Sequence, residues 1–513
     1  MSNVAPAPDS PRPSSTRRGS RVVIVGGGPG GYEAALTAAR LGASVTLIEE
    51  RGLGGAAVLT DVVPSKTLIA TAEWLTIAER AAHLGLRFAH AATPAAPGMD
   101  DVAAHAAAPN EAGKAQAGSA QPVASVDLRA LNERVRALAL EQSADIEATL
   151  QRAGVRVLHG RGALLPATGE GGLRTVRATL PDGGYLDCEA EFVLLAVGAR
   201  PRELPAGRPD GKRILTWAQL YNLEEMPEHL VVIGSGVTGV ELASAYQLLG
   251  ARVTLVSSRP GVLPGQEPEA AALIEQELRE RGMQVVTSAR AVAVELAEDG
   301  EGVAVRLEEG RVLPGSHCLV AVGAVPNTSR LGLENAGVEL SPSGHIQVDR
   351  VSRTTAFRVY AAGDCTGVLP LASVAAMQGR IAMWHALGDA VAPLDTGDVA
   401  ATVFTAPEIA TVGVQPQQVH EQGLDCFISR LPLPRNPRAK MLGIQTGFLK
   451  LVISRRDGLV VGGVIVGPRA SELILPVALA VKQHLTAADL AGMINVYPSL
   501  SGSIVEAARV VED

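Results

Sequence analysis

From Arg21 the chain runs RVVIV, one charged residue followed by four β-branched ones, and then breaks at a cluster of glycines. An uncharged β-branched run is what a strand covered on both faces of a parallel sheet requires. Beyond the glycines, the small residues Ala34, Ala35, Ala38 and Ala39 recur at helical spacing, and the pattern stops at Gly42, which predicts a short helix. Ser44–Ile48 is a second buried strand, closed by Glu49. The same order of strand, helix and strand returns in LVVIGSGVTGVELASAYQLLGARVTLVSS. Repetition of a whole unit within one chain is hard to produce by packing accident.

Between and beyond these units the pattern predicts further elements. An amphipathic helix is expected over Val126–Ala153 and a strand over Val155–His159. Alternation near Thr175–Leu180 and Tyr185–Cys188 predicts a β-meander, and Glu191–Val197 reads as a buried strand closing at Gly198. Val359–Ala362 is a strand leading through Gly363 to Asp364. The stretch GLGGAAVLTDVVPSKTLIATAEWL predicts a glycine turn opening a helix with Pro64 near its middle. From Ala401, glycine-bounded strands (Gly447–Ile453, Leu459–Val466) alternate with two helices, which predicts a separate α+β domain. Two stretches carry no pattern. The Pro- and Ser-rich segment 1–19 has no apolar core and is expected to be a disordered tail, and the Ala/Pro/Gly-rich segment 89–124 a disordered insertion.

The glycines give the repeated units their chemistry. Gly26, Gly28 and Gly31 fall in GxGxxG spacing: a tight turn, close backbone approach to a pyrophosphate, and helix–strand contact. The N–H groups at the start of the following helix then face the phosphates, and Glu49 is placed to accept hydrogen bonds from adenosine ribose hydroxyls. Gly234, Gly236 and Gly239 repeat the spacing, but the second unit ends in Ser257, Ser258 and Arg259. Hydroxyls and a guanidinium there favour a 2′-phosphate, so this unit leans towards NADPH. The fold class expected is therefore α/β, with two Rossmann-like dinucleotide-binding domains and a C-terminal α+β domain. Asp364 stands at the carboxyl end of a strand, where such folds place ligands.

Composition narrows the function. Hydrophobic residues make up 47% of the 513 and aromatics only 3%, so the core packs on alanine and valine. A net charge of −8 without a basic block excludes nucleic acid as the expected partner. No uncharged apolar run reaches the roughly 18 residues of a membrane span. The four cysteines, Cys188, Cys318, Cys365 and Cys426, are scattered without a CxxC pair, pointing to a reducing compartment, the cytoplasm, and to no metal site.

The two units, the stretches LLAVGARP around Gly198 and LVAVGAVPN around Gly323, YAAGD and the C-terminal domain together resemble the flavoprotein disulfide reductases, the class of lipoamide dehydrogenase and glutathione reductase. The resemblance implies FAD on the first unit, NAD(P)H on the second and a homodimer formed through the C-terminal domain. It divides the chain into an FAD domain at 20–200, an NAD(P) domain at 201–325, a return to the FAD domain at 326–395 and a dimerisation domain at 396–513. Glu49 would hold the FAD ribose and Asp364 the ribityl chain. Lys66, in PSK, would lie near flavin N5, and Glu241, in GVE, would lie beside the nicotinamide and pair with it.

The departures all fall on one chemical function. The family's CxxxxC redox disulfide is replaced by Ala57 and Val62, and its HPTLSE histidine and glutamate by Tyr497 and Gly502. Segments such as RILTWAQLY, VIGSGVTG and SELILP are similar to the lipoamide-dehydrogenase-like NAD(P)H:quinone reductases of actinobacteria. That resemblance implies electron transfer from flavin directly to quinones or similar small acceptors. Tyr497 of the other subunit would stack on the acceptor or donate a hydrogen bond to it, unless it only fills the volume of the missing histidine. The alternatives are a nicotinamide nucleotide transhydrogenase and a non-catalytic flavoprotein reporting the NAD(P)H ratio. Dihydrolipoyl dehydrogenase activity is not expected.

Overall fold

A computed structural model describes residues 19–81, 126–166, 172–298 and 300–510. The insertion expected at 89–124 and the tail up to residue 18 lie outside them. Strand β1 (Arg21–Val25) is buried after its first residue. It leads to helix α1 (Pro29–Arg40), which buries Ala34, Ala35 and Ala38, and the chain returns in β2 (Ser44–Glu49). Two helices come next, α2 (Gly55–Leu59) and α3 (Val62–Ala81). The sequence predicts one helix with Pro64 near its middle; instead Thr60 and Asp61 interrupt it, and Pro64 falls in the first turn of α3. There the missing N–H has no helical partner to lose.

Helix α4 (Leu128–Arg152), N-capped by the Asp127 side chain, and β3 (Arg156–His159) complete the first wind. The sheet is parallel, in the order Val359–Ala361, Phe192–Leu195, β1, β2, β3. Its edge strand thus comes from far along the chain, and the helix after it, Ala372–Leu387, packs on α1. A Cβ on Gly379 would stand 2.1 Å from the Gly30 carbonyl oxygen, so this close helix crossing depends on glycine.

The second unit repeats the topology: Gln284–Val286, Arg252–Val256, His229–Ile233, His317–Val320 and Ile214–Thr216 form a parallel sheet, with helix α5 (Val237–Leu248) after the central strand. The two AVGA stretches meet. Ala199–Pro201 and Ala324–Pro326 pair antiparallel, tying the units together at equivalent points.

The C-terminal domain is a five-stranded antiparallel sheet in the order Ala401–Val403, Glu408–Gly413, Val460–Gly467, Phe448–Ser454, Cys426–Pro432. Instead of two helices it carries several short ones: Pro437 and Pro476 stand in first turns, and Gly443 and Gly492 follow the ends of Pro437–Met441 and Ala487–Ala491. The domain leaves Leu475, Leu479, Ile494, Val496 and Tyr497 exposed. Among the described residues, no helix is long and apolar enough to cross a membrane.

Candidate active site

A cavity of about 620 Å³ opens at the carboxyl ends of the first sheet, where Gly26, Glu49, Val197 and Gly363 lie at or just beyond the ends of their strands. This is the crevice in which open α/β sheets bind ligands. Gly28, Ala57, Asp61, Val62, Gly198 and Asp364 also line it.

The glycines divide by what a side chain would strike. A Cβ on Gly26 would stand 2.3 Å from the Ala196 carbonyl oxygen, and one on Gly31 would stand 1.9 Å from that of Gly26. Both are excluded by the protein itself. At Gly28, which lines the cavity, the nearest atom to a Cβ is the Gly54 carbonyl oxygen, 4.0 Å away. The second unit matches: Gly234 and Gly239 would clash at 2.2 and 1.9 Å, whereas Gly236 meets nothing within 4 Å. Gly28 and Gly236 each cap the following helix without a side-chain hydrogen bond. The room at the middle glycine and the helix N-terminus behind it fit a pyrophosphate. The residues present therefore fit dinucleotides on both units.

Glu49 is buried at the end of β2. Its Oε2 accepts from Gly27 N at 2.6 Å, and its Oε1 from Arg51 N at 2.6 Å and Gly52 N at 3.2 Å. Oε1 is filled by its two donors, and Oε2 keeps lone-pair capacity for a ribose hydroxyl. Ser257 occupies the equivalent place in the second unit, and its hydroxyl is committed: it lies 2.7 Å from Ser235 Oγ and 2.8 Å from the Gly261 carbonyl oxygen. Ser257 is fully buried, while Ser258 and Arg259 are exposed. The three residues that the sequence groups together thus separate into a loop anchor and two outward side chains.

Gly198, with φ +62°, lines the cavity, and its carbonyl accepts from Asn327 N at 3.0 Å. Gly323, with φ +96°, accepts at 2.9 Å from Arg202 N beside the antiparallel joint. Gly363 donates to Gln378 Oε1 at 2.8 Å, holding the turn that presents Asp364. Burial pushes the Asp364 carboxyl above the usual range, with His345 acting against it.

The structure brings Lys66 and Glu241 together. Lys66 Nζ on α3 lies 2.7 Å from Glu241 Oε2 on α5, and Glu241 is 3% exposed. The other oxygen, Oε1, accepts from Phe404 N at 2.7 Å, and Nζ sits 4.9 Å from the Phe404 ring centroid. A buried carboxylate is tolerable only when paired and hydrogen-bonded, and this one is both.

Ala57 and Val62 both line the cavity, Val62 one turn before Lys66, and all four cysteines are free and lie outside α2 and α3. Cys365 is next to Asp364, yet its Sγ points at the Ala362 carbonyl oxygen (3.3 Å), and burial pushes the thiol up to about 12. Tyr497 is 80% exposed and does not line the cavity; Gly502 begins the helix Gly502–Arg509. A cavity acid outside the sequence motifs stands at the start of α3. Asp61 immediately precedes Val62, and burial, aided by Glu241 and Asp364 and opposed by Lys66, pushes its carboxyl up to about 6. Its sequence signal is weak: an aspartate shortly before PSK, where a helix N-cap would stand.

Known proteins resemble this chain over nearly its whole length. The chain is 49% identical over 494 residues to an NAD(P)H dehydrogenase (quinone) of Mycobacterium tuberculosis, covering 96% of this chain and 93% of that one. The crystal structure of LpdA from Mycobacterium tuberculosis superposes with a TM-score of 0.86 at 48% identity, covering 96% and 99% of the two chains. A dihydrolipoyl dehydrogenase of Geobacillus stearothermophilus is 32% identical over 492 residues, 96% of each chain. The family model for pyridine nucleotide-disulphide oxidoreductases matches residues 20–379 and that for their dimerisation domain residues 399–508, so the chain belongs to the pyridine nucleotide-disulphide oxidoreductase family.

Proposed function

We propose that this protein oxidises NAD(P)H with FAD and passes the electrons to quinones or similar small acceptors, with no redox disulfide in between. The observation that carries this is the cavity wall: Ala57 and Val62 stand where the family keeps its two cysteines, while the cradle glycines, Glu49, Asp364 and the Lys66–Glu241 pair are all present. The relative named as a quinone dehydrogenase at 49% identity supports it.

FAD bound in the cavity supplies a two-electron carrier between nicotinamide and acceptor. The chain's own residues position and tune it. Gly28 leaves room for the pyrophosphate, Glu49 takes the ribose and Asp364 the ribityl chain. Lys66, fixed by Glu241, would place a cation near the electron-rich end of the ring. Ala57 and Val62 offer an apolar face to a flat acceptor. Gly234, Gly236 and Gly239 receive the nicotinamide nucleotide, with Ser258 and Arg259 favouring NADPH.

A homodimer through the C-terminal domain would cover the exposed Leu475, Ile494 and Val496 and present Tyr497 to the acceptor site of a second copy. Free cysteines, two of them buried, support a cytoplasmic location.

A stopped-flow acceptor screen on the anaerobically NADPH-reduced protein tests the assignment. Quinones are expected to reoxidise the flavin rapidly and lipoamide not at all. Reoxidation by lipoamide alone, or by oxidised nicotinamide alone, would overturn it.

A further inference from the structure

We propose that Asp61 is the proton donor to the acceptor, a carboxylic acid built into the cavity wall where the family's thiols are missing; this rests on the quinone assignment above. The main-chain carbonyl of Asp61 accepts from Ser65 N at 2.8 Å, which fixes the residue at the start of α3. Asp61 lines the same cavity as Ala57 and Val62. Among the described residues, no hydrogen bond or ion pair engages its carboxylate. The nearest cation, Lys66, is already held 2.7 Å from Glu241, so it serves Asp61 only at longer range.

The charged groups facing Asp61 are Lys66 on α3, Glu241 on α5 and Asp364 in the turn after Val359–Ala361. The Tyr221 phenol, buried in the segment Leu220–Asn222, lies within electrostatic reach. Burial and two carboxylates outweigh one shared lysine, and the acid titrates at about 6. A general acid works best when its pKa lies near the operating pH.

The proton balance of quinone reduction requires such a group. Reducing a quinone to a hydroquinone consumes two electrons and two protons. The hydride equivalent originating in NAD(P)H brings both electrons and one proton. The Asp61 O–H bond breaks as the second hydroquinone O–H bond forms, leaving a carboxylate that takes its next proton from bulk solvent, the proton the overall reaction consumes.

The test compares the holoprotein with Asp61→Asn and Asp61→Glu. The first readout is the absorption spectrum of bound oxidised flavin, titrated between about pH 4.5 and 8. Wild type is expected to show a spectral transition with its midpoint near 6, the Glu variant a shifted one and the Asn variant none. The second readout is the ratio of benzoquinone to ferricyanide turnover, since ferricyanide accepts electrons without a proton. The Asn variant should lose at least about 100-fold in this ratio, within the roughly 10²–10⁴-fold that general acid catalysis provides, and the Glu variant should recover part of it. If the Asn variant loses bound FAD, the Glu variant's shifted midpoint and partial ratio decide.

A transition that persists in Asp61→Asn, or a ratio unchanged by it while wild type reduces quinones, would overturn the role of Asp61 alone. Wild type that reduces ferricyanide but no quinone would instead overturn the acceptor class.

Discussion

Lys66 Nζ lies 2.7 Å from Glu241 Oε2, and this one contact joins the helix after the first dinucleotide unit to the helix inside the second. Through Phe404 N, Glu241 also reaches the C-terminal domain, so three parts of the chain share one buried carboxylate. Removing the cation alone leaves that carboxylate with a single N–H partner. Breaking a buried pair from one side typically costs about 3–5 kcal/mol, and the 27% exposure of Lys66 puts this case at or below the low end. Lys66→Met should therefore lower Tm more than the double variant Lys66→Met with Glu241→Gln. Thermal unfolding of the two proteins checks the order, and a double variant less stable than the single one would show that the pair is not coupled.

The cradle glycines should fail in different ways. At Gly28 the backbone is extended (φ −69°, ψ −176°) and a Cβ has room, so Gly28→Val should fold. Its side chain would occupy the space left for the pyrophosphate, and bound FAD per subunit should fall at least tenfold. Gly31→Ala puts a methyl carbon 1.9 Å from the Gly26 carbonyl oxygen and should instead reduce the yield of folded protein. Flavin-to-protein absorbance ratios and circular dichroism separate the two effects.

Reduction should stop at two electrons per flavin. No cysteine lies in α2 or α3, and the Cys365 thiol is buried, directed at backbone carbonyls and held protonated by burial. An anaerobic dithionite titration should consume two electron equivalents and show no thiolate charge-transfer band. Uptake of four would place a redox-active cysteine beside the ring.

Cofactor choice should depend on Arg259 and not on Ser257. Arg259 is exposed at the end of the second unit, so Arg259→Ala should raise KM for NADPH by about tenfold and leave that for NADH nearly unchanged. The Ser257 hydroxyl is spent on Ser235 and Gly261, so Ser257→Ala should lower Tm and change both KM values alike. Steady-state kinetics with both nucleotides distinguishes the outcomes.

Local pattern makes much of this fold legible. Val22–Val25, Gly26, Gly28, Gly31 and Glu49 lie within one short stretch, and each requirement acts between near neighbours. The Lys66–Glu241 contact spans two domains, and only the family resemblance of PSK and GVE points to it. Ser257 parts from Ser258 and Arg259 because its burial depends on Ser235 in another loop, which no periodicity records. The sequence merges α2 with α3 across Thr60 and Asp61 because Gly55–Leu59 has the same apolar character as the start of α3. Asp61 carries no signal of its own, since a carboxylate at a helix start is ordinary until the cavity around it is known.

The same residue sets a pH dependence of stability with a definite sign. In the folded protein Asp61 titrates at about 6, against an ordinary value of 3.8. A raised pKa means that the native state binds the proton more tightly than the unfolded chain does. The stabilisation belonging to the protonated form is complete below the unfolded value and is lost as pH rises through the folded one. At pH 8 the ionised, buried carboxylate therefore carries a penalty of up to about 3 kcal/mol, since each tenfold change in proton affinity is worth about 1.36 kcal/mol. The α3 N-terminus favours an anion by only about 0.3–1 kcal/mol, too little to reverse the sign. Asn has nearly the same shape and is also a good N-cap, so Asp61→Asn removes the charge without removing the residue's place in the helix. The variant should melt several degrees above wild type at pH 8, and the difference should vanish near pH 4. The Asp364 charge is one of the causes that raise the Asp61 carboxyl, so relief of their repulsion is already contained in this gain. Differential scanning calorimetry at the two pH values checks this, and an equal difference at both would mean that Asp61 does not ionise in this window.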